Sequence, residues 1–473
     1  MLYDFIETDK NQKKPMYQQI YLSIRRAIES GSLKKGSRLP SIRRLSADRG
    51  ISKTTVTGAY DQLCVEGYII SKPQKGYFVA AAFDKLPKAA ARADSAQAQR
   101  VYAAYDFSGK SIDESIIDLN EWKKCVKDVI NRNYLLTSYG DEQGEPALRE
   151  ALQKYALGIR SVNARTDNIV VGAGTQAILL LLCSLIGFGK RIAVERGGFL
   201  QAELVFQSFN YEICCYDCDA CGARIDSFEE ISPDIILINP NSTGARGGSM
   251  PVTRRLEIIE WARTHRALIL EDDYNGELRY STRPIPCVQH YDAENTVYIG
   301  SFSKVLLPSV RLSYTVLPDR LSEIYQSRKR LMNQTASKTE QLALAQYIQS
   351  GKIDAHLRKA RRVYLEKSRS MLESAARFLP EAAVDFNETA LYLVLKPPFE
   401  VDKSRLEQEL RDRSVRLMSY GREENTFALS FSGIAQEKLS EGVQLVCNAL
   451  QQSSACAGKI NGAANSFLAE RFR

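Results

Sequence analysis

The chain has 473 residues, 44% hydrophobic and 25% charged, which is enough apolar material for a large core and excludes a wholly disordered chain, a collagen-like repeat or a disulfide scaffold. Its net charge of +8 is unevenly placed: residues 1–80 hold 14 Lys or Arg against 7 Asp or Glu, and the other 393 residues contribute only +1. A small basic module ahead of a balanced remainder points to a polyanionic partner.

No run of 18 apolar residues occurs, so no membrane-spanning helix is expected. The opening MLYDFIETDKNQKKPMYQQ has neither an apolar stretch of secretory length nor a small-residue cleavage site, which makes the cytoplasm the expected compartment. In chain order, Pro15 suits a first helical turn, Tyr17, Ile20, Ile24 and Ile28 recur at helical spacing, and Gly31 stops the run. Ser41 can cap a second helix carrying Ile42 and Leu45 and ending at Gly50. Ser52 can cap a third, with Val56, Ala59 or Tyr60, and Leu63 inward and Lys53, Thr54 and Thr57 outward. Two short helices around a Gly-containing turn make a helix-turn-helix. Tyr68–Ile70, a turn with Lys72 and Lys75, and Tyr77–Val79 then read as a β-hairpin wing whose lysines suit phosphate or minor-groove contact.

The string LPSIRRLSADRGISKTTVTGAYDQLCVEGYI, followed by KGYFV, resembles the GntR-type winged helix of bacterial transcription regulators. The resemblance implies a double-stranded DNA partner touched by Arg43, Arg44, Ser52, Lys53, Thr54 and Thr57, with Lys75 and Gly76 against the DNA backbone. Residues 1–80 are therefore expected to form the DNA-binding domain. Residues 81–104, rich in Ala, Lys, Arg and Gln without apolar periodicity, read as a linker, 105–452 as the main domain, and 453–473 as a flexible tail.

Within 105–452, apolar runs at Asn168–Val171, Arg191–Val194, Ile235–Ile238, Ala267–Leu270, Thr296–Ile299 and Leu312–Leu317 alternate with amphipathic stretches such as Gln176–Leu185, Arg254–Arg263 and Thr339–Ile348. That alternation predicts an α/β domain on a mostly parallel sheet, with ligands at the carboxyl ends of its strands. Cys214, Cys215, Cys218 and Cys221 include a metal-like spacing, but only three His occur and none is near in sequence, so we read them as structural and expect no metal. Three run ends carry chemistry. Gly172-Ala173-Gly174-Thr175-Gln176 opens a helix where backbone N–H groups can meet a phosphate. Glu271-Asp272-Asp273-Tyr274 follows the fourth run, and Gly300-Ser301-Phe302-Ser303-Lys304 the fifth, with Arg311 seven residues beyond the lysine. A lysine there, near Ser and Arg, is a candidate imine-forming residue beside a phosphate clamp.

Together these motifs resemble the fold-type I, pyridoxal 5′-phosphate-dependent aminotransferases from about Tyr105 to Leu450. The resemblance implies that Lys304 forms the Schiff base, Asp272 pairs with the pyridine nitrogen, and Tyr274 and Asn241 touch the phenolic oxygen. It also implies that Gly174, Thr175, Gln176, Ser301, Ser303 and Arg311 hold the phosphate side and that Phe199 stacks on the ring. Tyr139 resembles the tyrosine that reaches a neighbouring subunit's phosphate. A GntR-type winged helix ahead of such a domain is the arrangement of the MocR-like regulators. That family implies a head-to-tail homodimer on paired DNA half-sites and a large domain that senses an amine, amino acid or vitamin B6 form. A catalytically active aminotransferase carrying a DNA-binding domain is the alternative.

The sequence departs from the aminotransferase pattern in two places. Ala428 stands where an arginine would grip an α-carboxylate, and Gln201 where a relative carries a second arginine. Arg246 and Arg422 are the candidate replacements.

Overall fold

The computed structural model describes residues 6, 8, 14–80, 103–242, 248–280, 285–386, 390–418 and 425–454, which fall into one compact unit within Met1–Arg100 and another within Val101–Arg473. Nearly all of the expected linker, the tail beyond Ser454, and the candidate arginines 246 and 422 lie outside the described residues.

The small unit comprises α1 (Met16–Glu29), α2 (Ile42–Arg49), α3 (Lys53–Val65), and an antiparallel hairpin of β1 (Ile69–Lys72) and β2 (Gly76–Val79). Ser41 Oγ accepts the Arg44 N–H to start α2, which ends at Gly50 with φ +61°. Ser52 Oγ accepts the Thr55 N–H at 3.1 Å to start α3. Such caps satisfy N–H groups that a helix start leaves unpaired. Ser52→Ala is expected to lower the melting stability of this unit by about 1 kcal/mol, measurable by chemical denaturation. The core joins Ile20, Ile24, Ile28, Leu45, Val56, Ala59, Tyr60 and Leu63. Two details differ from the sequence reading. Pro15 is the N-cap rather than a first-turn residue, and Tyr17 is 41% exposed because the packed stripe starts a turn later. Lys72 pairs with Gly76 inside the hairpin and sits over the Phe78 ring at 5.0 Å, leaving Pro73, Gln74 and Lys75 as the turn.

The large unit is built on a seven-stranded sheet. Its spatial order is β4 (Ile169–Gly172), β12 (Ser313–Val316), β11 (Thr296–Ser301), β10 (Leu268–Asp273), β9 (Ile235–Ile238), β5 (Arg191–Glu195) and β6 (Glu212–Tyr216). β12 runs antiparallel to both neighbours and every other pairing is parallel, so β4, β5, β9, β10 and β11 present their carboxyl ends along one edge. Central strands buried on both faces explain the continuous apolar runs in the sequence. A second sheet orders β13 (Ala383–Phe386), β14 (Tyr392–Lys396) and β16 (Phe427–Ser430), and β3 (Tyr105–Phe107) pairs in parallel with β15 (Val415–Leu417). The α/β class with a mostly parallel sheet is as expected. β10 and β11 run further than their apolar stretches, taking Asp272, Asp273 and Ser301 into the strands. The fold supplies partners that permit buried polar strand ends: Glu271, for example, accepts the N–H groups of Val288 and Gln289 at 2.8 and 2.9 Å.

Cys214 and Cys215 lie in the edge strand β6, and Cys218 and Cys221 belong to the small hairpin of β7 (Cys218–Asp219) and β8 (Gly222–Ala223). Among the described residues no three metal-ligating side chains gather, and no helix is long and apolar enough to cross a membrane.

Candidate cofactor site and DNA-binding surface

At the end of β4, Gly174 takes φ +89° and caps the helix Thr175–Ile186. An added Cβ there would sit 2.6 Å from Arg311 Nη2, so only glycine lets the guanidinium lie against this helix start. Arg311 itself adopts φ +52°, a conformation a non-glycine residue holds at a cost of about 1 kcal/mol. Helix N–H groups, a dipole and a guanidinium converging on one point form an anion cradle. Thr175 is half-buried and Gln176 exposed at its rim.

At the end of β11, Ser301 Oγ accepts the Ser303 N–H and the Ser313 hydroxyl, which fixes the one-turn helix Phe302–Val305 that carries Lys304. Lys304 Nζ donates to Gly109 O. Burial lowers the lysine's pKa and so raises the share of neutral, nucleophilic amine.

At the end of β10, successive carboxylates face opposite sides of the strand. Asp273 Oδ2 accepts from Arg160 Nε at 2.6 Å and Tyr298 OH at 2.9 Å, and its Oδ1 accepts from Asn241 Nδ2 at 2.7 Å and Gly276 N at 3.1 Å. Asp272 is buried with Oδ1 lacking any hydrogen-bond partner, and burial, reinforced by Asp273, pushes its pKa up to about 7. A lone buried carboxylate oxygen fits a protonated ring nitrogen, and with the cradle and the lysine it makes this edge suitable for pyridoxal 5′-phosphate. Burial also pushes the Tyr274 phenol up, against a hydrogen bond from Ser242, whose Oγ lies 3.5 Å from Tyr392 OH.

The structure thus gathers Gly174, Thr175, Asp272, Tyr274, Ser301, Ser303, Lys304 and Arg311 at three strand ends of one sheet edge. Asn241 follows β9 on the same edge, with its amide turned to Asp273. Phe199 starts the helix after β5 and is 38% exposed. Tyr139 is fully exposed. Ala428 is buried in β16 opposite Val394, and Gln201 is exposed. Sequence reading missed Gly109, Ser242, Tyr392 and Asp273. Only Asp273 carried a signal, as the second acid of the Glu271-Asp272-Asp273-Tyr274 run.

In the small unit, Arg43, Arg44, Ser52, Lys53, Thr54 and Lys75 are exposed. Ser52 Oγ also meets the Thr54 and Thr55 hydroxyls, and Thr57 Oγ1 donates to Lys53 O at 2.9 Å, so these two side chains serve the helix as well as its outer face. Gly76 takes φ +99° with Arg38 Nε 3.6 Å from where a Cβ would be, and Arg38 bridges to Phe78. Arg38 is a cation at the root of the wing that sequence reading did not single out.

Residues 16–79 match the family described as bacterial regulatory proteins, gntR family, and residues 105–445 match aminotransferase class I and II. The chain is 33% identical over 449 residues to an uncharacterized HTH-type transcriptional regulator, YhdI of Bacillus subtilis (strain 168), covering 92% of this chain and 96% of that protein. It is 27% identical over 466 residues to the probable rhizopine catabolism regulatory protein MocR of Rhizobium meliloti, covering 92% and 94%. An archaeal alanine:glyoxylate aminotransferase structure superposes with a TM-score of 0.69 at 20% identity, over 75% of this chain and 92% of that one, which establishes the fold of the large unit. The chain belongs to the MocR-like regulators, in which a GntR-type DNA-binding domain precedes an aminotransferase-like domain whose cofactor is pyridoxal 5′-phosphate.

Proposed function

We propose that this regulator senses an amine, an amino acid or a vitamin B6 form at Lys304 and changes its promoter affinity in response. The observation that carries this reading is a prepared cofactor edge beside a buried alanine at the position where the aminotransferase resemblance expects the carboxylate-gripping arginine. Asp272 Oδ1, Lys304 and the Gly174–Arg311 cradle suit the cofactor, whereas Ala428 offers no guanidinium to an α-carboxylate. When bound, pyridoxal 5′-phosphate supplies an aldehyde that condenses with primary amines and a ring that draws electrons while its nitrogen is protonated. Asp272 would hold the proton on that nitrogen, and Tyr274 and Asn241 would be the residues to meet the phenolic oxygen. The start of the Thr175–Ile186 helix, Ser301, Ser303 and Arg311 would hold the phosphate, and Phe199 would cover the ring. Lys304, desolvated and more readily neutral, is the amine that an effector must displace.

Arg43, Arg44, Lys53 and Thr54 read the major groove from the α2–α3 face, with Ser52 and Thr57 beside them, while Lys75 and Gly76 approach the DNA backbone. Tyr134 and Tyr139, 70% and 103% exposed, support the expectation of a partner subunit covering this side in a head-to-tail homodimer on paired half-sites, acting in the cytoplasm.

Visible absorption of the purified cofactor-loaded protein, titrated with amines, amino acids and vitamin B6 forms, tests the reading, with Lys304→Ala as control. The expected result is a band that shifts with one compound and persists. A band that decays with release of a keto product would favour a working aminotransferase, and the absence of any band would remove the cofactor from the account.

A further inference from the structure

The chain that enters the large unit runs straight to Lys304. β3 ends at Phe107, and two residues later Gly109 O accepts Lys304 Nζ. Gly109 takes φ +69°, and an added Cβ would lie 3.1 Å from Ser430 Oγ and 3.7 Å from Lys304 Nζ, so the segment threads between the lysine and β16. Its far end is pinned: Asp113 N donates to Ser432 O at 2.7 Å, and Ser432 Oγ donates to Ser111 O at 2.8 Å. Asp113 Oδ2 meets Lys367 Nζ at 2.5 Å, with the lysine side chain wholly inaccessible and the aspartate nearly so. Lys367 also donates to Phe431 O and Ile434 O. It stands on the helix Lys352–Phe378, about three turns from His356, whose Nε2 lies 2.6 Å from Val305 O, the carbonyl next to Lys304.

A buried ion pair is a poor stabiliser, since apolar replacements of equal volume are often as stable or more so. In some proteins such a pair is retained because it fixes one geometry. Here the geometry fixed is that of the segment touching Lys304, and that segment continues, through β3, the stretch of sequence that leads from the winged helix.

We propose that Lys367 and Asp113 are positioning residues that latch Ser108–Asp113 over Lys304, and that the making and breaking of the Lys304–Gly109 O contact, as the amine is engaged by the cofactor or freed by an effector, is relayed along this segment and β3 to the DNA-binding domain. The proposal rests on the sensor reading above, because the occupant of Lys304 is the input. The latch variant for its test is Asp113→Asn with Lys367→Met, which removes both charges and strands neither, with Lys367→Arg as the conservative control.

Full-length protein is compared by hydrogen exchange, visible absorption and DNA binding, using DNA that it enriches from a random pool. The probes are pyridoxal 5′-phosphate and aminooxyacetate, a small oxyamine that captures aldehydes. Lys304→Ala and the latch variant should each speed amide exchange at residues 106–113 by about tenfold while β9 and β10 stay protected. The latch variant should keep the cofactor band and its response to aminooxyacetate but lose the accompanying change in DNA affinity, and Lys367→Arg should retain it. Unchanged exchange at 106–113 in Lys304→Ala, or an intact DNA response in the latch variant, overturns the proposal and leaves the sensor reading standing. A wild-type protein without a band, or whose DNA affinity ignores both probes, overturns the sensor reading and the latch with it.

Discussion

Replacing Arg43, Arg44 and Lys53 together by alanine should weaken binding to a selected duplex by about three orders of magnitude near physiological salt, since base-directed cations contribute about 1–3 kcal/mol each. The salt dependence should flatten by about two to three counterions. The three side chains are exposed and outside the core around Leu45, Val56 and Leu63, so the melting temperature should barely move. Losing the Arg44–Asp48 pair changes little, because it is exposed on both sides at 3.8 Å. The Ser52 cap is untouched, which separates loss of contacts from loss of the helix. Anisotropy with labelled DNA at several salt concentrations decides the matter, and retained affinity would remove DNA contact from this face.

Asp272→Asn should act in opposite directions on cofactor and fold. Without a charged partner for the ring nitrogen, cofactor retention should fall by about a hundredfold or more, read as loss of the visible band on dialysis. The apoprotein should gain stability at alkaline pH. Burial and Asp273 raise the Asp272 pKa to about 7 in the folded chain, above about 3.9 in an unfolded one. The folded state therefore binds the proton more tightly. The protonated acid imposes no charge penalty below about pH 4. Stability then declines as pH rises towards 7, with a slope approaching about 1.4 kcal/mol per unit, and the penalty is complete above that. Asparagine removes this contribution. Glu271 and Glu277, raised to about 7 and about 8 mainly by burial, leave a residual slope. Urea melts of both apoproteins at pH 5.5 and 8 should show the smaller loss in Asp272→Asn, and equal losses would contradict the assignment of a buried, unpartnered carboxylate.

Much of the fold was legible because its signals are local. Strands buried on both faces read as largely apolar runs whatever their direction, so the positions of β4, β5, β9 and β12 could be read directly. Ser41 and Ser52 announced helix starts, and Gly174 announced a turn that tolerates no Cβ beside Arg311. β10 was read too short because acidic residues argue against strand until their buried partners are known, and Asp273's partners Arg160 and Asn241 lie 113 and 32 residues away. Gly109 was invisible for the same reason: a three-residue strand has no period, and its contact with Lys304 spans 195 residues. The Asp113–Lys367 pair was beyond reach as well, since each residue reads as an ordinary surface charge until the long helix turns Lys367 inward.

On the proposed reading, occupancy at Lys304 sets affinity for DNA. The most direct measurement follows DNA affinity and visible absorption in a single titration of the cofactor-loaded protein with whichever compound shifts its band. Both signals should change with one midpoint, DNA affinity by about 5–150-fold, and Lys304→Ala should bind DNA without responding. A band that shifts while DNA affinity stays constant, or a Lys304→Ala protein that responds as the wild type does, would contradict that reading.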